Sequence, residues 1–227
     1  RMADFATQRL NMVESQVRPS DITDRRITRA MSAIPRESFL PDDARAIAYA
    51  DQDLTFSVPA ADDAPAVPQF MVAPRVLARL IQYLELDAKN VVLDSACGTG
   101  YSTAVLARIA ETVVGIESSA AVVAFASGAL SGAGVDNAVI VEKDPATGYA
   151  DEGPYDAILI AGMIEKLPQA LLEQLKDGGR LVAIERRERY GAAVQWRRLG
   201  DTYDKRWLFD AGAPMLAGFM KKPAFVF

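Results

Sequence analysis

The sequence predicts an α/β domain: a mostly parallel sheet with helices on both faces, preceded by a helical lobe. Three observations predict it. From Asn90 onward, short apolar runs alternate with stretches of helical spacing, the order expected of successive strand–helix units. Those runs are nearly unbroken Val, Ile and Leu, so each strand is buried on both faces, as in a parallel sheet covered by helices. The first 50 residues carry the helical period alone.

Residues 4 to 50 place apolar side chains at helical spacing in "FATQRLNMVESQV" and "DRRITRAMSAI", with Pro19, Pro35 and Pro41 as breaks. Residues 51 to 70, "DQDLTFSVPAADDAPAVPQF", are rich in Pro, Ala and Asp and show no sustained period, so they read as a long functional or mobile loop. "MVAPRVLARLIQYLEL" gives a helix with Pro74 in its first turn, where the missing N–H is no loss. The strand runs are "NVVLDSA", "TVVGIES", "NAVIVEKD", "YDAILIAG" and "GRLVAIER"; "STAVLARIA" and "SSAAVVAFASGAL" read as helices between them. "AAVQWRRL" and "MKKPAFVF" are candidates for an antiparallel edge, alternation around Trp196 and Trp207 suggests strand packing, and "ERRERY" reads as a solvated strand end and loop. The organisation expected is one domain over 1–227, with the helical lobe and loop in 3–70 and the α/β core in 71–227.

Composition narrows the function. Half of the 227 residues are hydrophobic, enough to bury a sizeable core. A net charge of −5 leaves no broad basic face for phosphates or anionic lipid, so neither nucleic acid nor a membrane is expected as partner. The single cysteine, Cys97, excludes an internal disulfide framework and suits a reducing cytosol; with no leader pattern and no apolar span of membrane length, the expected location is cytoplasmic. The chain has no histidine, which rules out Ser-His-Asp and Cys-His machinery, His-ligated zinc and imidazole proton shuttles within one chain. No metal site is expected.

The run "VVLDSACGTGYSTAVLA", residues 91 to 107, breaks from strand into a small-residue turn and resumes as helix. In an open parallel sheet, ligands sit beyond the carboxyl ends of the strands, where this turn lies. Its glycines let the backbone approach a ligand, and the following helix begins with free N–H groups. A P-loop needs a Lys-Ser/Thr pair after its glycines, and "GTGYST" has no lysine. A dinucleotide fingerprint is met by Gly98 and Gly100 but has Thr103 in place of its third glycine, and Asp94 would repel a pyrophosphate. The third pattern, acidic-x-small-x-Gly-x-Gly, is matched by Asp94, Ala96, Gly98 and Gly100; it suits a cationic amino-acid head without phosphate, as in S-adenosylmethionine. A plain strand–helix joint uses the same small residues, so the weight falls on the strands that follow. Glu117 ends "TVVGIES" near the spacing at which an acid meets ribose hydroxyls, and Asp144 closes "NAVIVEKD", where it can accept the adenine amino group. Acids ending three consecutive strands carry the adenosylmethionine reading.

"MVESQVRPSDITDRRITRAMSAIPRESFLPDDARAIAYADQDL", the glycine-turn run and "YDAILIAGMIEKLPQALLEQLKDGGRLV" together resemble, in order and spacing, the protein-L-isoaspartate O-methyltransferases, from about residue 8 to about residue 185. The resemblance implies a Rossmann-like seven-stranded mostly parallel sheet with its last strand antiparallel, S-adenosylmethionine as cofactor with S-adenosylhomocysteine as product, and methylation of the side-chain carboxylate of isoaspartyl residues in damaged proteins or peptides. By position it implies Asp94, Ser95, Ala96, Cys97 and Gly98 around the methionine portion, with Gly100 closing the turn, Glu117 and Ser118 at the ribose, and Asp144 and Pro145 at the adenine. Ala96 stands where the family has glycine, and Lys143 and Pro145 replace the glycines of a Gly-Asp-Gly turn. Cys97, with nothing cationic near it in sequence, reads as a packing residue.

The departure lies in the acceptor loop. Aligning on Met71-Val72-Ala73 sets Val67 where the family has a serine beside the transferred methyl, which counts Val67 among the cofactor-binding residues, with Gln69 and Phe70 binding the substrate. Ser57 and Thr55 lie ten or more residues upstream and reach that place only if the loop folds back. Asp62 and Asp63 add negative charge near the acceptor's entry or form a solvated tip, and "GAPMLAGF" is a candidate wall of the acceptor pocket. Three readings stay open: a repair methyltransferase with a variant loop, a methyltransferase of this fold acting on another acceptor such as a small molecule, and a non-catalytic module that binds adenosylmethionine or adenosylhomocysteine.

Overall fold

A computed structural model of the chain describes residues 4–61, 64–188 and 190–220. The N-terminal lobe is helical, as its spacing predicts. Helix α1, Phe5–Met12, is capped by the Asp4 carboxylate on Thr7 N at 3.0 Å and runs on into a π-helical turn, Val13–Val17. Helix α2, Arg25–Ala33, is capped by Asp24 and buries Ile27, Ala30 and Met31, the apolar positions at spacings of three and four. Pro35 and Pro41 then each begin a 3-10 turn, Arg36–Phe39 and Asp42–Ile47.

Residues 51 to 70 correct the loop expectation. They form an antiparallel hairpin of β1, Leu54–Val58, and β2, Val67–Met71, with Leu54 opposite Met71 and Val58 opposite Val67. Leu54 and Val58 face the core while Thr55 and Ser57 are exposed, a period of two. Each strand is only five residues long and the Pro/Ala/Asp tip separates them, so no window shows a sustained alternation. Asp62 and Asp63 lie outside the described residues. Helix α3, Pro74–Gln82, follows with Pro74 in its first turn.

The core is a seven-stranded sheet: β3 Val91–Ser95, β4 Thr112–Glu117, β5 Ala138–Glu142, β6 Tyr155–Ile164, β7 Leu175–Arg186, β8 Gly191–Leu199 and β9 Thr202–Asp210. Their order is β5-β4-β3-β6-β7-β8-β9, and β3 to β7 are parallel. The chain winds outward from β3 to β5, then returns to the other side of β3 with β6. That reversal makes the C-terminal end of β3 the switch point of the sheet, where a crevice opens. The direction turns at β8 rather than at the last strand: β8 is antiparallel to β7, and β9, antiparallel to β8, again points with the parallel five. Among the described residues the antiparallel edge is supplied by β8 and β9. "MKKPAFVF" contributes only Met220 to the described residues.

Unbroken Val, Ile and Leu runs place alternate residues on opposite faces. Val92, Val113, Leu159 and Val182 meet α3, the N-terminal helices and two further helices, α4 Tyr101–Ala107 and α5 Ala120–Gly132. Leu93, Val114, Ile158 and Leu181 meet Leu171 and Leu172 of α6, Gln169–Glu173, and Tyr155. Each buried aliphatic side chain contributes roughly 1.5–3 kcal/mol, so both faces stabilise the sheet. Trp196 is buried on this second face, whereas Trp207 is exposed, its ring stacked by Arg187 at 3.5 Å. Among the described residues no helix is long and apolar enough to cross a membrane.

Candidate functional site

The turn between β3 and α4 is built from left-handed backbone. Ala96 (φ 57°), Gly98 (φ 55°) and Gly100 (φ 90°) reverse the chain within five residues, and Gly100 N closes on Cys97 O at 3.0 Å. A side chain at Gly98 would crowd the hairpin, since a Cβ there would stand 3.2 Å from Gln69 Oε1. Glycine permits that approach and the φ together; Ala96 adopts its φ at a steric cost.

Asp94 is wholly buried behind this turn. One carboxylate oxygen accepts from Ser102 Oγ at 2.6 Å and Thr103 Oγ1 at 2.7 Å, while Oδ1 has no partner among the described residues. Burial pushes its carboxyl up to about 6, against the two hydroxyl hydrogen bonds, with the charge of Glu117 adding to the rise. Glu117, at the end of β4, straps the turn: Oε2 accepts Gly98 N at 3.2 Å, and Oε1 accepts Ser118 N at 2.8 Å and Ser118 Oγ at 3.2 Å. Asp144 follows β5 by two residues and is exposed, with Oδ1 accepting Ala146 N at 2.9 Å. Pro145 is buried, and its carbonyl accepts Ser95 Oγ at 2.8 Å, tying the turn to the loop after β5. The Cys97 thiol is buried and pushed well up, first by burial and then by Asp94 and Glu117, so it packs rather than reacts.

The turn and the strand ends beside it border one cleft of about 850 Å³ at the switch point. Ala96, Cys97, Gly98, Glu117, Ser118, Asp144 and Pro145 line it from the strand ends, and Val67, Gln69 and Phe70 line it from the hairpin, with Gln69 reaching the turn at Gly98. Asp94, Ser95 and Gly100 are not on its wall; they shape the turn from behind. The hairpin folds back so that Thr55 and Ser57 also line the cleft, which is the condition the sequence left open. A third wall is the segment from Pro214 to Phe219, held to the end of β6 by Met163 N on Pro214 O at 3.0 Å and Leu216 N on Met163 O at 2.9 Å. "GAPMLAGF" thus borders the cleft, as its candidate role required. Phe56, Tyr101 and Ala161 were not singled out by sequence; nothing in their spacing marks them, because the hairpin and the strand ends bring them in.

The family model described as Protein-L-isoaspartate(D-aspartate) O-methyltransferase (PCMT) matches residues 7–205. The chain belongs to the protein-L-isoaspartate O-methyltransferase family. A protein-L-isoaspartate O-methyltransferase 1 of Rhodopseudomonas palustris is 37% identical over 178 residues, 78% of this chain and 69% of the relative. A protein-L-isoaspartate O-methyltransferase of Herpetosiphon aurantiacus is 35% identical over 198 residues, 87% of this chain and 84% of the relative. Among solved structures, one protein-L-isoaspartate O-methyltransferase superposes with a TM-score of 0.77 at 22% identity over 93% of this chain, which spans 66% of that longer protein. A Plasmodium falciparum chain described as a protein-L-isoaspartate O-methyltransferase, in complex with S-adenosyl-L-homocysteine, superposes at 0.74 and 20% identity over 92% of this chain and 98% of that one. At such identities the likeness speaks for the fold. The family match ends at residue 205, so the wall from Pro214 to Phe219 lies beyond it.

Proposed function

We propose that the chain transfers the methyl group of S-adenosylmethionine to the side-chain carboxylate of L-isoaspartyl residues in damaged proteins or peptides. One observation carries this reading. A single cleft at the switch point joins an acid-bordered glycine turn to a hairpin that presents hydroxyl and aromatic side chains, in a chain of the isoaspartate methyltransferase family.

The residues at the turn fit the cofactor. Ala96, Cys97 and Gly98 line the cleft beside the methionine portion, Glu117 and Ser118 offer acceptors and a donor for ribose hydroxyls, and Asp144 with Pro145 borders a place for adenine. When bound, adenosylmethionine supplies an electrophilic methyl on a positively charged sulfur. Asp94 acts through the turn: by holding Ser102 and Thr103 it fixes the start of α4 beneath Cys97 and Gly98. The acceptor carboxylate is ionised at neutral pH, so the chain needs no base, and the absence of histidine is no handicap. What remains for the protein is to align the acceptor and exclude water, a task the hairpin and the wall at Pro214–Phe219 are placed to perform. The single buried thiol suits a reducing compartment, and we assign the protein to the cytosol.

The test is transfer of a labelled methyl group from adenosylmethionine to an isoaspartyl peptide, beside its aspartyl counterpart and a calorimetric titration with adenosylhomocysteine. Label on the isoaspartyl peptide alone is the expected result. Label confined to other acceptors would redirect the substrate, and binding without any transfer would leave a cofactor-binding module.

A further inference from the structure

The peptide unit between Val72 and Ala73, where β2 passes into α3, is held at both ends by side chains of opposite charge. Its carbonyl accepts Arg36 Nη2 at 2.9 Å, and its N–H donates to Asp53 Oδ1 at 2.8 Å. Arg36 is wholly buried, and Nε donates to Ala48 O at 2.8 Å, so one guanidinium joins the N-terminal lobe to the exit of the hairpin. Asp53 immediately precedes β1, so its carboxylate joins the hairpin's entry to the same peptide. The face of the guanidinium lies 4.8 Å from the ring centroid of Tyr101, which opens α4 after the glycine turn and lines the cleft. A charge this deep is costly to bury, and a neutral side chain would fill the space with less penalty.

We propose that Arg36 and Asp53 are positioning residues: together they clamp the Val72–Ala73 peptide and thereby set the β1–β2 hairpin over the cleft in register with the glycine turn. The hairpin supplies Thr55, Ser57, Val67, Gln69 and Phe70 to the acceptor side, and Tyr101 ties the same clamp to the cofactor side. Displacing a hairpin by about 1 Å is enough to cost on the order of 10²-fold in rate when the reaction depends on alignment. Lysine at 36 keeps the charge but loses the planar fork that reaches two carbonyls in different directions. Asparagine at 53 keeps an acceptor for Ala73 N–H but leaves Arg36 without that negative charge.

This inference rests on the methyltransferase reading for its kinetic arm only. Arg36→Lys, Asp53→Ala and Asp53→Asn are compared with the unaltered protein by hydrogen exchange of the ligand-free chain, calorimetric affinity for adenosylhomocysteine, and kcat and KM on an isoaspartyl peptide. Expected are exchange at least tenfold faster across residues 54–58 and 67–71 in Arg36→Lys and Asp53→Ala, adenosylhomocysteine affinity within threefold, and kcat reduced tenfold or more. Asp53→Asn should fall between Asp53→Ala and the unaltered protein. Hairpin exchange unchanged in either Asp53 variant would overturn the clamp, as would kcat unchanged or cofactor affinity lost in proportion to kcat. If Arg36→Lys does not fold, the two Asp53 variants decide. If the unaltered protein transfers no methyl to the peptide, the proposed function fails while hydrogen exchange still tests the clamp.

Discussion

Replacing Asp94 with Asn should change how the stability of the ligand-free protein responds to pH. Asp94 is completely buried, and burial raises its carboxyl from 3.8 to about 6, although Ser102 and Thr103 donate to it. A folded-state pKa above the unfolded one means that the folded chain holds the proton more tightly. Stability from this group is therefore absent above about pH 7 and grows as pH falls through about 6 toward 3.8. Between about pH 7.5 and about pH 4.5 the gain works out at about 2 kcal/mol. Asparagine has no proton to gain, so the difference between the two chains isolates this group while the other carboxylates cancel. The assay is reversible urea unfolding of both proteins at both pH values. The stability of the unaltered protein relative to Asp94→Asn should rise by about 2 kcal/mol on acidification. A difference that does not move with pH, or that moves the other way, would show that the carboxylate is held ionised and that its burial is not the governing effect.

Ala96→Gly should stabilise the protein. A left-handed φ of 57° strains an alanine by roughly 1–2 kcal/mol, glycine gives back roughly 0.5–1 kcal/mol in backbone entropy, and the net is a gain of about 0.5–1 kcal/mol, or about 1–4 °C in a thermal melt. A lower midpoint would place the strain elsewhere. Gly162→Ala would set a Cβ 2.7 Å from Leu216 Cδ1 and 2.9 Å from Phe70 Cζ, displacing two side chains that line the cleft at a cost of about 1–3 kcal/mol. KM for an isoaspartyl peptide should rise while adenosylhomocysteine affinity holds in calorimetry; equal loss of both would deny Phe70 and Leu216 to the acceptor side. Val67→Ser should raise kcat/KM on the same peptide by restoring a hydroxyl to the cleft wall, and an unchanged rate would show that position 67 does not face the acceptor.

Four of the five parallel strands were legible because a strand buried on two faces has no choice of composition; β5, at the sheet's edge, corrects the expectation of two buried faces, since Val139 is exposed and only Ile140 is buried. The order of the strands was not legible. "NVVLDSA" and "YDAILIAG" are neighbours across more than sixty residues of chain, as Val92 opposite Ala157 shows, and nothing local to either run encodes that pairing. The hairpin looks like a loop in the sequence because two five-residue strands with a proline in one of them carry too little periodicity to stand out. Acids at three strand ends mark the site in the sequence, where nothing distinguishes one from another. Packing separates them: Asp94 is sealed behind the turn, Glu117 straps it from the wall, and Asp144 is open to solvent.

By itself the sequence determined the N-terminal helices, the sheet's parallel strands and the glycine turn with its neighbouring acids, because helix period, strand burial and left-handed turns each constrain residue type over a few positions. Only the tertiary structure decided which of those acids reaches the cleft, that Thr55 and Ser57 return to it, that Pro214–Phe219 closes it, and that Arg36 and Asp53 grip one peptide. Those are contacts between distant parts of the chain, set by the packing of whole elements, and the local residue pattern carries no record of which partner each will meet.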